Sequence, residues 1–406
     1  MKRIWIVLLA LLLLTGCGEA ISYEKPVEEQ PVESLPPQEE EAPSQEELLG
    51  EIVEGMSIEE KIGQLIMAGI DGTEISDRER SLLNDYRIGG FILFARNISD
   101  EEGTRDLLDS LKEANSEHSI PLFLAVDEEG GVVTRLSGIY GNLPPQSRLG
   151  ESGDPELAYK YGSIQGEKLK RLGLNVNFSP VLDVNSNPDN PVIGNRSLSE
   201  EPELVAQLGI QVSKGIADQG IVPVGKHYPG HGDTDVDSHT LLPVIEKSKE
   251  ELLEMELLPF QRAIDEGLPA IMVGHLLVAS LDEKPASLSK PIIEGLLREE
   301  QGFGGVVFSD DLTMGAITNS MNASDAAVEF IVAGGDVALI CHGEDQVVET
   351  FDSMMSAWER GYLVEDEIND KVIRILKLKE YFKLEDIPVK RIYEDEIDWR
   401  IDELFN

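Results

Sequence analysis

The sequence predicts an α/β fold, a parallel (β/α)8 barrel of the TIM type built as a single domain, on three observations. From about Leu48 onward, short apolar runs alternate with longer amphipathic stretches, the pattern of strands each followed by a covering helix. The strand-like runs number eight over roughly 330 residues, which suits a barrel of about 250 residues with insertions. Titratable residues also stand at the carboxyl ends of successive strands: Asp127, Asp183, Lys226-His227, His275 and Asp310-Asp311. A barrel brings such residues to one mouth. A doubly wound open sheet would string them along an edge, with a crevice only at the switch point.

The strands are expected at Gln64–Gly69, Gly90–Phe94, Pro121–Val126, Val176–Leu182, Ile221–Val224, Ala270–Val273, Gly305–Phe308 and Asp336–Ile340. Each is short, rich in β-branched or aliphatic residues, and bounded by Gly, Pro or polar residues. Amphipathic spacing predicts helices over Glu102–Glu117, Glu156–Leu172, Glu203–Gln219, Lys249–Glu266, Ala323–Ala333 and Lys371–Leu384.

The two ends read differently. Met1–Gly16 carries Lys2 and Arg3, then an apolar run from Ile4 to Leu14 that is too short for a mature membrane span and suits an export signal. Leu14-Thr15-Gly16-Cys17 resembles a bacterial lipobox, which implies cleavage before Cys17 and lipid on its sulfur. Residues 17–47 are rich in Glu, Pro, Gln and Ser, so they bury too little surface to offset ordering entropy and read as an extended tether. The catalytic barrel is expected over 48–385 and an acidic tail over 386–406. The expected location is extracytoplasmic, with lipid as the sole membrane attachment of a monomer.

Lys and Arg total 34 against 77 Asp and Glu, a formal charge of −43, which excludes nucleic acid and anionic lipid surfaces as partners. With Cys17 lipidated, Cys341 has no disulfide partner. Its apolar neighbours, Val337 to Ile340, make it a small buried hydrophobe.

The run Gly225-Lys226-His227-Tyr228-Pro229-Gly230-His231-Gly232-Asp233-Thr234-Asp235-Val236-Asp237-Ser238-His239 holds three histidines, three aspartates and a lysine. Glycines and proline break regular patterns there, so it reads as a strand end opening into a polar loop that carries chemistry. Its histidines and carboxylates fit no compact zinc spacing, and a glycine-rich loop is a poor rigid cage. Neither a metal nor another cofactor is expected.

This run resembles the signature of the β-N-acetylglucosaminidase branch of glycoside hydrolase family 3. Three further stretches resemble the same branch, in family order: Asp127-Glu128-Glu129-Gly130-Gly131 with Arg135; Leu174–Asp183 followed by Asn187-Pro188 and Gly194-Asn195-Arg196-Ser197; and Phe308-Ser309-Asp310-Asp311-Leu312 with Met314. The likeness runs from about Glu51 to Leu384. It implies a retaining mechanism with Asp310 as nucleophile, His239 as acid/base and Asp237 as its partner. Asp127, Arg135, Arg196, Lys226 and His227 would bind the sugar hydroxyls.

The chemistry agrees with those roles. Glycoside hydrolysis needs a nucleophile on one side of the anomeric carbon and a proton donor at the leaving group. A histidine titrates near neutrality and can give and take a proton in turn. Adjacent strand residues point to opposite sides, so only one of Asp310 and Asp311 is expected to face the mouth. His231 and Asp233 are expected to brace the loop, with Gly230 and Gly232 allowing it to move.

Three positions depart from the family pattern: Glu128 for a common glutamine, Tyr228 for phenylalanine, and Thr134 for the glutamine that often precedes the arginine. Altered aglycone or loop contacts are expected from them. The implied activity is exo-acting removal of terminal N-acetylglucosamine from muropeptide-type or other glycosides. The alternatives are a phosphorylase using the same site, a β-glucosidase of the same family, or a lipoprotein that only binds sugar.

Overall fold

The computed structural model describes residues 44–238, 240–343, 345–390 and 397–404. Cys17 and His239 therefore lie outside the described residues. Eight strands close into a barrel: β1 (Ile66–Gly69), β2 (Gly90–Leu93), β3 (Phe123–Val126), β4 (Val176–Asn177), β5 (Val222–Tyr228), β6 (Ala270–Val273), β7 (Val306–Asp311) and β8 (Val337–Ile340). Every neighbouring pair is parallel, and Ile66 opposite Ala338 closes the ring between β1 and β8. Strands buried on both faces should read as continuous apolar runs, and β1, β2, β3, β6 and β8 are buried at every position.

Polar side chains extend two strands beyond their apolar runs. β5 continues through Gly225, Lys226, His227 and Tyr228, all buried, so the first part of the polar run is strand and not loop. β7 likewise runs on through Ser309, Asp310 and Asp311. β4 is shorter than its apolar run, ending at Asn177 before the cis Ser179-Pro180 peptide.

Helices start where sequence provides caps. Ser44 accepts the amide of Glu47 at 3.2 Å while the Glu47 carboxylate takes the Ser44 amide at 2.7 Å. This capping box starts a helix at Gln45–Gly55, so regular structure begins within the stretch read as tether. The expected helix Lys249–Glu266 is two, Lys249–Glu254 and Leu258–Asp265, the second opening on Pro259, where a missing N–H costs no helical bond. Helix Pro155–Leu172 begins behind an Asp154 cap and ends at Gly173, whose φ is 94°.

The barrel interior is packed. Phe308 meets Phe123 and Phe178 edge-on at 5.8 and 5.6 Å between ring centroids, a geometry aromatic quadrupoles favour. At the opposite end from the mouth, fully buried Asp336 accepts from Arg298 Nη2 at 2.7 Å, Arg374 Nε at 2.9 Å and the Val307 amide at 2.7 Å. Burial pushes its carboxyl up, but the charges of Arg298, Arg374 and Lys371 outweigh that and hold it below the usual range. Asp386 of the acidic tail accepts from Asn115 Nδ2 at 2.6 Å and from the Leu122 amide, so the tail's first residue is part of this base.

Replacing Asp336 by Asn leaves two half-buried guanidinium groups without their anion. We expect a loss of about 3–5 kcal/mol in urea unfolding at neutral pH. Because the folded carboxyl titrates below its unfolded value, its contribution is present above about pH 4 and fades as pH falls. The gap between wild type and Asp336→Asn should therefore narrow on acidification. An unchanged midpoint at pH 7 would refute the assignment.

Candidate active site

The carboxyl ends of the strands surround a cavity of about 350 Å³ lined by Asp127, Glu129, Arg135, Arg196, Lys226, His227, Asp310 and Asp311, among others. One half of the wall is charged and comes from the segments after β3 and β4 and from β5. Lys226 Nζ lies 2.6 Å from Asp127 Oδ1 and 2.6 Å from Glu129 Oε1. Arg196 donates Nε to Glu129 Oε2 at 2.9 Å and Nη2 to Oε1 at 2.8 Å, a two-pronged pair. Arg135 Nη2 sits 3.7 Å from Asp127 Oδ2. Charges therefore alternate along the wall in the order Arg196, Glu129, Lys226, Asp127, Arg135.

Burial alone would neutralise these groups. Burial raises the Glu129 carboxyl, yet Arg196 and Lys226 overcome it and hold Glu129 far below the usual range. For Lys226, burial lowers the ammonium while Asp127 and Glu129 raise it further, with a net upward shift. Each ion keeps its charge because the other is present.

His227 is oriented from behind. Its Nδ1 lies 2.6 Å from Asp183 Oδ2, and its Nε2 lies 3.4 Å from Arg196 Nη2. A guanidinium only donates, so Nε2 is the acceptor and Nδ1 carries the proton given to Asp183. The other Asp183 oxygen accepts the amides of His227 at 3.1 Å and His231 at 2.7 Å. The buried Asp183 carboxyl, raised by burial, is pulled net downward by His227 and His231.

Asp310 faces this wall from β7. Its Oδ1 accepts the amide of Asp311 at 2.8 Å. Burial raises its carboxyl, but His275, His227, the Asp311 amide and Lys226 prevail and keep it below the usual range. Asp311 also lines the cavity, contrary to strict alternation. The register between β7 and β8 shifts between Phe308 and Asp311, and such an irregularity re-aims side chains. The Asp311 carboxylate is engaged: its Oδ1 accepts the Thr313 amide at 2.9 Å and the Cys341 amide at 3.1 Å, and Thr313 Oγ1 donates to both oxygens. Buried His275 donates Nε2–H to the Asp311 carbonyl at 2.9 Å, and its Nδ1 lies 2.8 Å from Ser287 Oγ, so it fixes the backbone beside Asp310.

Of the loop after β5, Ser238 lines the cavity and Asp237 is half-buried, one residue farther from it in sequence. His231 is buried between Ser238 Oγ at 3.0 Å and Thr234 Oγ1 at 2.8 Å, and burial pushes its imidazole down to about 4; it braces the loop as a neutral ring. The two glycines serve close packing more than movement. A Cβ on Gly232 would lie 1.6 Å from the Val184 carbonyl oxygen, and one on Gly230 2.6 Å from Glu256 Cβ.

Asp127, Arg135, Arg196, Lys226, His227 and Asp310 thus meet at one cavity; strand-end positions suggested this for Asp127, Lys226, His227 and Asp310, and the resemblance implied it for the two arginines. Sequence reasoning left Glu129 and Asp183 outside the candidate set, although Glu129 stands in the Asp127–Gly131 motif and Asp183 ends the motif after β4. Tyr228 is buried, donates to Gln301 Oε1 at 2.7 Å and packs on Phe260. It does not line the cavity, so the expected aglycone contact fails for it.

Comparison with known proteins gives a concordant answer. The profile of the glycosyl hydrolase family 3 N-terminal domain matches residues 57–378. Beta-hexosaminidase A of Pseudoalteromonas piscicida is 37% identical over 324 residues, 73% of this chain; the chain spans 54%, about half, of that longer protein. Beta-hexosaminidase of Nitrosomonas eutropha is 36% identical over 300 residues, covering 72% of this chain and 84% of its own. The structure of a family 3 β-N-acetylglucosaminidase from Paenibacillus sp. str. FPU-7 superposes with a TM-score of 0.83 at 38% identity, over 86% of this chain and 68% of that one. With barrel, motifs and relatives in agreement along most of its length, this chain belongs to glycosyl hydrolase family 3 and is a glycoside hydrolase of the β-hexosaminidase kind.

Proposed function

We propose that the protein is an exo-acting, retaining β-N-acetylglucosaminidase that removes terminal N-acetylglucosamine from muropeptide-type glycosides. The observation that carries this reading is Asp310. It is ionised by its surroundings, has only a neighbouring amide as its hydrogen-bond donor among the described residues, and faces a wall of paired charges. The Paenibacillus relative supports the choice of sugar.

In the proposed sequence one Asp310 oxygen attacks the anomeric carbon as the glycosidic bond breaks. Protonated His239 gives its proton to the departing oxygen. The neutral imidazole then takes a proton from water, whose oxygen displaces Asp310 and restores the anomeric configuration. Asp237 would hold the imidazole in the required tautomer. Ser238 on the cavity wall supports this assignment, since consecutive Cα atoms are about 3.8 Å apart. The wall from Arg196 to Arg135 presents donors and acceptors to vicinal hydroxyls, and a cavity of this size suits one terminal sugar.

The lipobox-like Leu14-Thr15-Gly16-Cys17 supports a lipid on Cys17 that holds a monomeric enzyme on the outer side of a bacterial membrane.

Asp310→Asn should lower kcat on an aryl β-N-acetylglucosaminide by at least ~10³-fold with an unchanged circular dichroism spectrum; activity within tenfold of wild type would refute the nucleophile. In the pH profile of kcat/KM, Asp310 should titrate below the usual Asp value of about 3.9, so it stays charged as pH falls to that point. A limb nearer neutrality would belong to His239 and should vanish in His239→Ala, with kcat lower by about 10²–10⁴-fold. If that limb persists in the variant, His239 is not the acid/base. Expressed in a bacterium with its own leader, the protein should sediment with membranes and be released from them by Cys17→Ser; equal sedimentation of both would refute the anchor.

A further inference from the structure

Glu128 is one of the residues that depart from the family pattern, and no step above uses it. Its side chain turns away from the cavity and is fully buried, as is that of Lys168. The two meet at 3.3 Å, and Lys168 also donates to the Gly141 carbonyl at 3.0 Å. The other ligands of the Glu128 carboxylate come from one short stretch. Oε2 accepts the amides of Arg135 at 2.8 Å and Leu136 at 3.1 Å, and the Thr134 hydroxyl lies 2.8 and 2.9 Å from the two oxygens.

These contacts define a loop clamped at its neck. Asp127 and Glu129 leave β3 on either side of Glu128, the chain turns at Gly130 and Gly131 with φ of 91° and 61°, and Arg135 returns. Glu128 ties the returning strand to the departing one. Helix Pro155–Leu172 holds the clamp from outside with one face: Tyr161 Oη donates to the Glu129 carbonyl at 2.7 Å, Gln165 Nε2 to the Glu128 carbonyl at 2.7 Å, and Lys168 to the Glu128 carboxylate. Residues spaced by four and three lie along one side of a helix. Thr134, a second departure, is a member of the same cluster.

At the end of the clamped strand the Arg135 side chain lines the cavity, and its Nε is buried without a partner among the described residues. A buried N–H wants an acceptor, and a sugar hydroxyl in the cavity would supply one.

We propose that Glu128 and Lys168 are a positioning pair for Arg135: the carboxylate sets where the Arg135 backbone lies, and Lys168 holds that carboxylate in place from the helix. The inference rests on the reading that Arg135 binds the sugar. Because Arg135 would hold substrate and transition state alike, its displacement should raise KM and spare kcat.

The test uses the full-length enzyme and an aryl β-N-acetylglucosaminide, with rates normalised to folded protein. Glu128→Asp keeps the charge opposite Lys168 but shortens the reach by one methylene, so the clamp is displaced without unpairing an ion. We expect KM to rise about tenfold with kcat within about threefold of wild type. In an Arg135→Ala background, Glu128→Asp should change KM by less than about twofold. Glu128→Gln, which strands the Lys168 ammonium, should raise KM as well, and adding Lys168→Met should bring KM back toward wild type. Wild-type KM in folded Glu128→Asp, or an undiminished effect of that substitution without Arg135, would overturn the proposal. A wild type that fails to turn over the hexosaminide would instead overturn the functional reading on which it rests.

Discussion

An ammonium group with 2% of its surface exposed, at the end of a barrel strand, must be matched by anions, and the wall of the cavity follows from that need. Lys226 is placed by β5, which the barrel's closure fixes. Its charge survives only beside Asp127 and Glu129. Glu129, buried in turn, needs the second cation, and Arg196 supplies it through both prongs of its guanidinium. Arg196 then sets the acceptor nitrogen of His227, whose other nitrogen belongs to Asp183. Six groups from three successive strand ends are linked through one electrostatic requirement. Removing Glu129 would take the paired anion from Arg196 and one of two from Lys226, a costly loss in a buried site.

This mutual neutralisation suits a neutral ligand. A sugar offers hydroxyls and no charge, so a wall of balanced ions can bind it by hydrogen bonds with no net field to satisfy. The exception is on the far side, where Asp310 is held ionised by more distant histidines and Lys226 and, among the described residues, takes a hydrogen bond only from the adjacent amide. Asp311 shows what its neighbour would be if it were structural: three donors from Thr313 and Cys341 occupy its oxygens. The difference between two adjacent aspartates is thus a difference in how many donors each has.

Much of this was legible in the sequence, for identifiable reasons. Both faces of a parallel strand are covered, so the barrel strands advertise themselves as apolar runs, and their polar ends mark the mouth. What the pattern could not show was where a strand continues through charged residues. The apolar run stops at Val224, so Lys226 and His227 read only as the strand's end, because isolated charges do not belong inside a buried strand; they do so only with partners distant in sequence, Asp127 by 99 residues and Asp183 by 44. Alternation likewise predicted one aspartate at the cavity and failed at a register shift that depends on the neighbouring strand. Gly230 and Gly232 looked like hinges, yet the Val184 carbonyl and Glu256 lie where their side chains would be. In each case local sequence carried the residue type, and a tertiary neighbour decided its use.

The departures from the family pattern fall under the same rule. Glu128 and Thr134, six positions apart, were expected to alter aglycone or loop contacts, and the contacts they make are within the loop. Folded, they touch each other, and Lys168 on a helix some forty residues on touches the same carboxylate. A buried glutamate in place of a neutral amide requires a buried cation, and a cation requires room and an acceptor of its own, here the Gly141 carbonyl. The buried charge, its cation and the acceptor of that cation form one set, recognised by its electrostatic closure. That closure reaches the active site because one of the groups it satisfies is the backbone amide of Arg135.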